Sequence, residues 1–303
     1  MPIEMTPHLG ELAALSTAIL WSITPVLFTL AGRHVPALGV NLFRTATASL
    51  LLVATHWILS GHPWPGPAAR PYLPDLALSG LIGLAVGDTL LFQSYAWIGP
   101  RLATLLMALA PVMSAGMAGI VLKERLAPRA LLGMGLALAG VALVVREHRT
   151  VDLRIQPRHR RLGVLFALGA AACQAGGAVL SKRGMLGVDP LSATLVRMVS
   201  GTAVMLLGSL LSGQLLRAIP GLRGTRFLML ALCASILGPY LGVWLSLVSL
   251  KHTETAVALT LMAMSPILVI PLSARIFGEH TSSRALLGTV LAVAGVAVLL
   301  GRG

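Results

Sequence analysis

Three ionisable residues lie deep inside long apolar stretches, and they are the first candidates for chemistry. Asp88 stands near the centre of one stretch; Arg44 and Arg197 stand about two helical turns into two others. A charge at mid-bilayer depth costs about 2.5–3.5 kcal/mol on insertion scales, so it persists where it is paired, wet or used. Asp88 could bind a substrate amine or carry a proton. The alternative is a structural carboxylate that accepts hydrogen bonds from backbone or arginine. Arg44 and Arg197 have stems long enough to snorkel toward an interface. They could gate a passage by pairing, or meet a substrate carboxylate.

Less polar candidates surround them. Trp21 and Gln174 lie amid Ala and Gly, and Gln93 follows Asp88 on the same stretch. Tyr240 and Trp244 share another stretch. All five could line a cavity, although Trp and Tyr also populate interfacial belts. Met107 and Met262 could adapt to irregular ligands or simply fill core. Pro111 and Pro266 each remove a backbone donor inside an apolar run, which makes them candidate hinges. Gly83-x-x-x-Gly87 and Gly238-x-x-x-Gly242 offer faces for close helix approach.

Motifs for other chemistry are missing. The sequence has no GxxxxGK[ST] phosphate loop, no G-x-S-x-G and no HExxH. The eight His residues are scattered without metal-ligand spacing. No metal, cofactor or catalytic residue is expected. A membrane-embedded enzyme on a lipid-linked substrate would need clustered catalytic groups near one interface, and none is legible.

The elements that must hold these residues follow from composition. Hydrophobic residues make up 56% of 303 and charged residues 11%, and the mean hydropathy is +0.86. Ordinary soluble domains carry about 25% charged residues. Glycine, at 32 residues, suits membrane helices, where small residues let backbones approach. The net charge of +13 falls mostly between apolar stretches, which points to anionic headgroups and loop topology rather than nucleic acid. Cys173 and Cys233 lie inside apolar runs and form no disulfide framework. Residues 1–11 contain no Lys or Arg, so the first run reads as a retained helix rather than a signal peptide.

Ten runs approach the roughly 20 residues that a bilayer span needs: 11–31, 38–59, 75–97, 102–122, 129–146, 162–182, 190–211, 226–250, 255–277 and 284–301. Turn residues separate them, including Gly99-Pro100 between the third and fourth. The runs are continuous rather than alternating, which excludes barrel strands. One linker is polar and basic, residues 147–161, at the midpoint.

The halves on either side repeat. A shift of 155 carries 129–144 (RALLGMGLALAGVALV) onto 284–299 (RALLGTVLAVAGVAVL). It also carries Met107 onto Met262, Pro111 onto Pro266, Glu124 onto Glu279, Gly83 onto Gly238 and Gly87 onto Gly242. Nearer the N-terminus a shift of 153 pairs Gly10 with Gly163, Trp21 with Gln174 and Arg44 with Arg197. The units are 1–146 and 162–303. Five spans is an odd number, so a continuous chain inserts the second unit upside down, and inverted repeats hold substrate near the midplane between units.

Pro111, Leu122, Glu124, Gly133, Gly140 and Val141, echoed by Pro266, Glu279, Gly288, Gly295 and Val296 and joined by the Gly87-Asp88 pair, resemble the EamA family of the drug/metabolite transporter superfamily. Within it, the chain looks most like bacterial amino-acid exporters of the YddG type. The resemblance covers almost the whole chain. It implies an all-α membrane protein of ten transmembrane helices, two inverted five-helix repeats around a central cavity, working by alternating access in a bacterial inner membrane. Its partners would be a small-molecule substrate, the lipid bilayer and possible protons, with the protein a monomer or weak dimer and no nucleic acid involved. The expected function is export of amino acids or related metabolites; multidrug or sugar-type transport is the alternative. The second unit departs from the pattern at Val243, which occupies the position of Asp88, so an acidic coupling role falls to one half only.

Orientation is contradictory at this level. Arg44 and Arg197 lie inside spans, and the remaining Lys and Arg divide 8 to 13 between alternate loops. The positive-inside rule then puts both termini outside, whereas the family resemblance implies both inside.

Overall fold

The computed structural model describes residues 8–31, 37–147, 157–211, 213, 224–265, 267–268 and 283–300, and every regular element among them is helical. Continuous apolar runs permit little else, because in lipid a helix satisfies its backbone within one segment. The first half holds α1 (Leu9–Ala31) and α2 (Ala37–Ser60), a short 3₁₀ turn (Pro67–Tyr72), and a rod in three pieces: α3 (Leu73–Gly80), a π-helical segment (Leu81–Gly87) and α4 (Asp88–Met107). It ends with α5 (Ala110–Val121) and α6 (Pro128–Glu147). The second half holds α7 (Pro157–Gly184), α8 (Pro190–Leu211), α9 (Thr225–Ser235), a second π-helical segment (Ile236–Gly242), α10 (Val243–His252), α11 (Thr255–Met262) and α12 (Ser283–Leu300).

Among the described residues, five helical stretches are long and apolar enough to cross a bilayer: Asn41–Ser60, Pro67–Ser94, His159–Gly184, Pro190–Leu211 and Leu228–His252. Shorter apolar helices cover Leu9–Thr24, Ala110–Val121, Pro128–Leu143 and Leu286–Leu300.

The expected break at Gly99-Pro100 does not occur. α4 runs through it to Met107, and the chain turns instead at Ala108 and Leu109, where the Leu109 N–H reaches the Leu106 carbonyl at 3.1 Å. The reason lies in where a missing N–H is tolerated. Pro111 enters in the first turn of α5, where the backbone donor would have had no partner in any case. Membrane helices tolerate an interior proline more readily than helices in water do, and α4 continues through Pro100.

The sixteen-residue repeat match turns out to be a packing seam. α6 lies along α12. A Cβ on Gly140 would stand 2.5 Å from the Ala292 nitrogen and the Gly288 carbonyl; a Cβ on Gly295 would stand 2.7 Å from the Gly133 carbonyl and strike Ala137. Under the 155 shift these two contacts are the same contact, with the partners exchanged. The first helices are shared likewise. α1 packs on α10, where a Cβ on Gly10 would lie 2.9 Å from the His252 carbonyl carbon. α7 packs on α4, where a Cβ on Gly163 would lie 3.2 Å from Trp97 Cβ. Trp97 also packs on Phe166, with ring centroids 4.9 Å apart.

Candidate functional site

Asp88 is the first residue after the π-helical segment Leu81–Gly87. A π segment widens the turn, strains the backbone ladder and recurs at functional sites. Here Gly83 and Gly87 supply the small residues, and the Thr89 hydroxyl donates to the Ala85 carbonyl at 2.6 Å, satisfying a carbonyl within the segment. The second half carries the same device at the equivalent place. Ile236–Gly242 is π-helical, and the Thr17 hydroxyl approaches the Gly242 carbonyl at 3.3 Å.

The glycines of each segment meet the first helix of the other half. Gly177 of α7 faces Gly83, at 3.1 Å from a Cβ on Gly177 to the Gly83 Cα, and a Cβ on Gly87 would stand 3.1 Å from Cys173 Cβ. Across the repeat, a Cβ on Gly238 would stand 2.9 Å from Thr24 Cγ2, and one on Gly242 would stand 2.6 Å from the Trp21 Nε1.

The charged candidates gather at the first π segment. Arg44 of α2 approaches Asp88 to 3.5 Å, with side chains about a fifth exposed (21% and 19%), and its guanidinium lies 6.0 Å from the Phe92 ring centroid. Arg197 of α8 is 5% exposed. It does not run to an interface: its Nη1 donates to Ser181 Oγ at 2.6 Å, and a Cβ on Gly83 would stand 2.7 Å from its Nη2. Its charge also acts on Asp88. Both Nε atoms are buried without a hydrogen-bond partner among the described residues. Among the described residues two arginines thus share the influence of one carboxylate, an excess of positive charge that suits a bound anion.

The apolar candidates gather at the second segment. Tyr240 lies within it, its hydroxyl 2.7 Å from Thr55 Oγ1, and its ring centroid is 6.2 Å from that of Trp244. Trp21, Tyr240 and Trp244 pack against one cluster that includes Val243, Leu247 and Met262. Met262 is buried at 3% exposure, which makes it core in this conformation. Met107 is half-buried at the end of α4, outside that cluster. Gln93 and Gln174 are half-buried on α4 and α7, which pack on each other. Pro266 lies outside the described residues.

Sequence reasoning missed the π segments, although the signal was there: two glycine pairs at equivalent positions, one interrupted by Pro239. It paired Pro111 with Pro266 as hinges but did not foresee that the helices break just before them. The turn at Ala108 and Leu109 recurs at Ala263 and Met264, where the Met264 N–H reaches the Leu261 carbonyl at 3.2 Å. Thus Met107 and Met262 are the last residues of two matching interrupted helices.

Apolar helices in two sequence-related halves, interrupted at matching positions, with one deep carboxylate between arginines, define a membrane transporter for small solutes. The chain belongs to the EamA-like transporter family, whose profile matches residues 8–146 and again 161–301. It is a multi-pass membrane protein whose partners are a small-molecule substrate and lipid. Its relatives include a probable amino-acid metabolite efflux pump of Salmonella typhimurium, 25% identical over 302 residues, with 93% of this chain and 92% of that one covered. The inner membrane transporter YedA of Escherichia coli K12 is 26% identical, with 99% and 92% covered. A solved crystal structure, 18% identical, superposes with a TM-score of 0.77 over 96% of each chain, a likeness that speaks to the fold.

Proposed function

We propose that the chain is a secondary transporter that exports amino acids or related small metabolites by alternating access across a bacterial inner membrane. The observation that carries this reading is the pair of equivalent π segments, each lodged against the first helix of the opposite half. Glycine contacts of that kind let two bodies rock without shearing large side chains. In this reading the chain spans the membrane ten times as two inverted repeats, 1–146 and 162–303, joined by 147–161. The reciprocal contacts of Gly140 and Gly295 support a two-fold relation between them.

Substrate binds between the halves near Asp88. Its amine meets that carboxylate, its carboxylate meets Arg44 or Arg197, and the aromatic groups Trp21, Tyr240 and Trp244 border the apolar part, with Gln93, Gln174 and Met107 as further lining. Asp88 carries the coupling proton when no substrate amine occupies it. Since Val243 holds the equivalent position, coupling is confined to one half. Pro111 and Pro266 serve as hinges beside the interrupted helices. The name of the Salmonella relative favours amino-acid metabolites as cargo. The test is efflux from bacteria expressing the chain and fed with labelled dipeptides that cells hydrolyse to amino acids. Faster amino-acid efflux than in an empty-vector strain is expected. Unchanged efflux would move the assignment to drug or sugar-type solutes.

A further inference from the structure

Glu124 follows α5 in the first half. Lys123 before it stands at φ 56°, a left-handed residue that turns the chain out of the helix. The Glu124 side chain then crosses to the second half. Its Oε2 accepts the Thr255 N–H at 2.8 Å and its Oε1 accepts the Thr255 hydroxyl at 2.9 Å, capping the start of α11. Lys182, in the last turn of α7, places Nζ 2.8 Å from Glu124 Oε1 and donates to the Thr253 carbonyl at 2.5 Å. One residue on, Arg183 grips Asp75 of α3 through two hydrogen bonds, one of them Nε to Oδ2 at 2.7 Å. Glu124 and Asp75 belong to the first half, Lys182, Arg183 and Thr255 to the second. The Glu124–Lys182 pair is partly sheltered, with side-chain exposures of 13% and 22%. Together these contacts tie the halves at one end of the bundle, where loops 61–72, 122–127, 185–189 and 253–254 lie.

The repeat supplies an internal control for the other end. Glu124 corresponds to Glu279, but Lys182 corresponds to Thr29, Arg183 to Leu30, Asp75 to Leu230 and Thr255 to Pro100. Thr29, Leu30 and Leu230 carry no charge. Pro100 has no N–H to give a carboxylate. The partners of Glu124, and the Asp75–Arg183 pair, thus have uncharged counterparts under the repeat, while Glu279 itself lies outside the described residues.

We propose that Glu124, Lys182, Thr255, Asp75 and Arg183 form a one-sided gate lock, so that the resting protein is closed at this end and the two access states are unequal in free energy. The inference rests on the alternating-access reading and extends it by naming the favoured closed end. Two-state equilibria respond only to contacts present in one state and absent from the other, and charge-assisted, bidentate hydrogen bonds are the strong ones.

The test is pulsed electron–electron distance measurement between nitroxide labels at Arg70 and Leu186, in a chain with Cys173→Ala and Cys233→Ala, reconstituted in liposomes. Both label sites are exposed and lie in opposite halves at the locked end. The lock chain should give one short distance. Glu124→Gln with Lys182→Met should raise the ratio of long to short distances about tenfold, and Arg183→Leu should shift it the same way. Asp75→Arg with Arg183→Asp should return it toward the starting value. Thr255→Val, which removes one uncharged donor and spares the fold, should give a smaller shift in the same direction. Distances unchanged in the Glu124/Lys182 and Thr255 variants would overturn the lock, as would a charge swap as open as Arg183→Leu. The measurement needs no substrate, so it stands or falls separately from amino-acid export.

Discussion

Trp21 of α1 and Gly242 of the second π segment touch so closely that a Cβ on the glycine would stand 2.6 Å from the indole Nε1. The contact joins the two halves at the place where sequence reasoning had put only a generic small-residue face. Gly242→Ala is therefore expected to displace Trp21 and reduce transport at least tenfold, while membrane insertion stays intact. Gly83→Leu with Gly87→Leu should do the same at the first segment, where Arg197 and Cys173 occupy the space. Transport assays beside quantification of the membrane fraction decide the matter; normal transport by either variant would contradict the role given to these contacts.

The seam between α6 and α12 makes a stability prediction. Gly140 and Gly295 have no room for a side chain, whereas a Cβ on Gly135 of α6 meets nothing within 4 Å. Gly140→Leu should destabilise by about 1–3 kcal/mol, the usual range for overpacking. Gly135→Leu should be close to neutral. Thermal unfolding in detergent compares the two, and equal losses would contradict the seam.

Asp189 caps α8. Its Oδ1 accepts the N–H groups of Leu191 and Ser192 at 2.9 and 3.0 Å, and Pro190 takes the first helical position. Burial works against the charge, but hydrogen bonds from Ser192 and from the Leu191 backbone outweigh it and hold the carboxyl below its ordinary range. A depressed value means the stabilisation is present above the unfolded carboxyl's range and is lost as pH falls through the folded one. Asp189→Ala should thus cost about 1 kcal/mol at neutral pH, and the cost should shrink below about pH 4. Unfolding of wild type and variant at both pH values checks this; a cost independent of pH would contradict the cap.

Much of the architecture was legible because lipid enforces it. The run 190–211 coincides with α8, and 38–59 and 129–146 fall within one residue of α2 and α6 at each end. Apolar length and flanking turn residues carry that information. The third and fourth runs were misdivided because Gly99-Pro100 reads as a turn in water, whereas membrane helices tolerate an interior proline and α4 continues to Met107. Asp88 and its two arginines were legible as costly buried charges, since each is an exception to the apolar pattern. That Arg44 reaches Asp88 across 44 residues, and that Arg197 settles on Ser181, depends on helix rotation, which periodicity leaves open. The Glu124 lock escaped notice for a similar reason: its partners, Lys182 and Thr255, come from the ends of two helices of the other half.

The most direct measurement is efflux from proteoliposomes loaded with a mixture of radiolabelled amino acids, with wild type beside Asp88→Asn and Arg44→Met. Saturable efflux of some amino acids by wild type is expected, with Asp88→Asn losing the part driven by a proton gradient and Arg44→Met weakened at low substrate concentration. No efflux of any amino acid under either a substrate or a proton gradient would contradict the account.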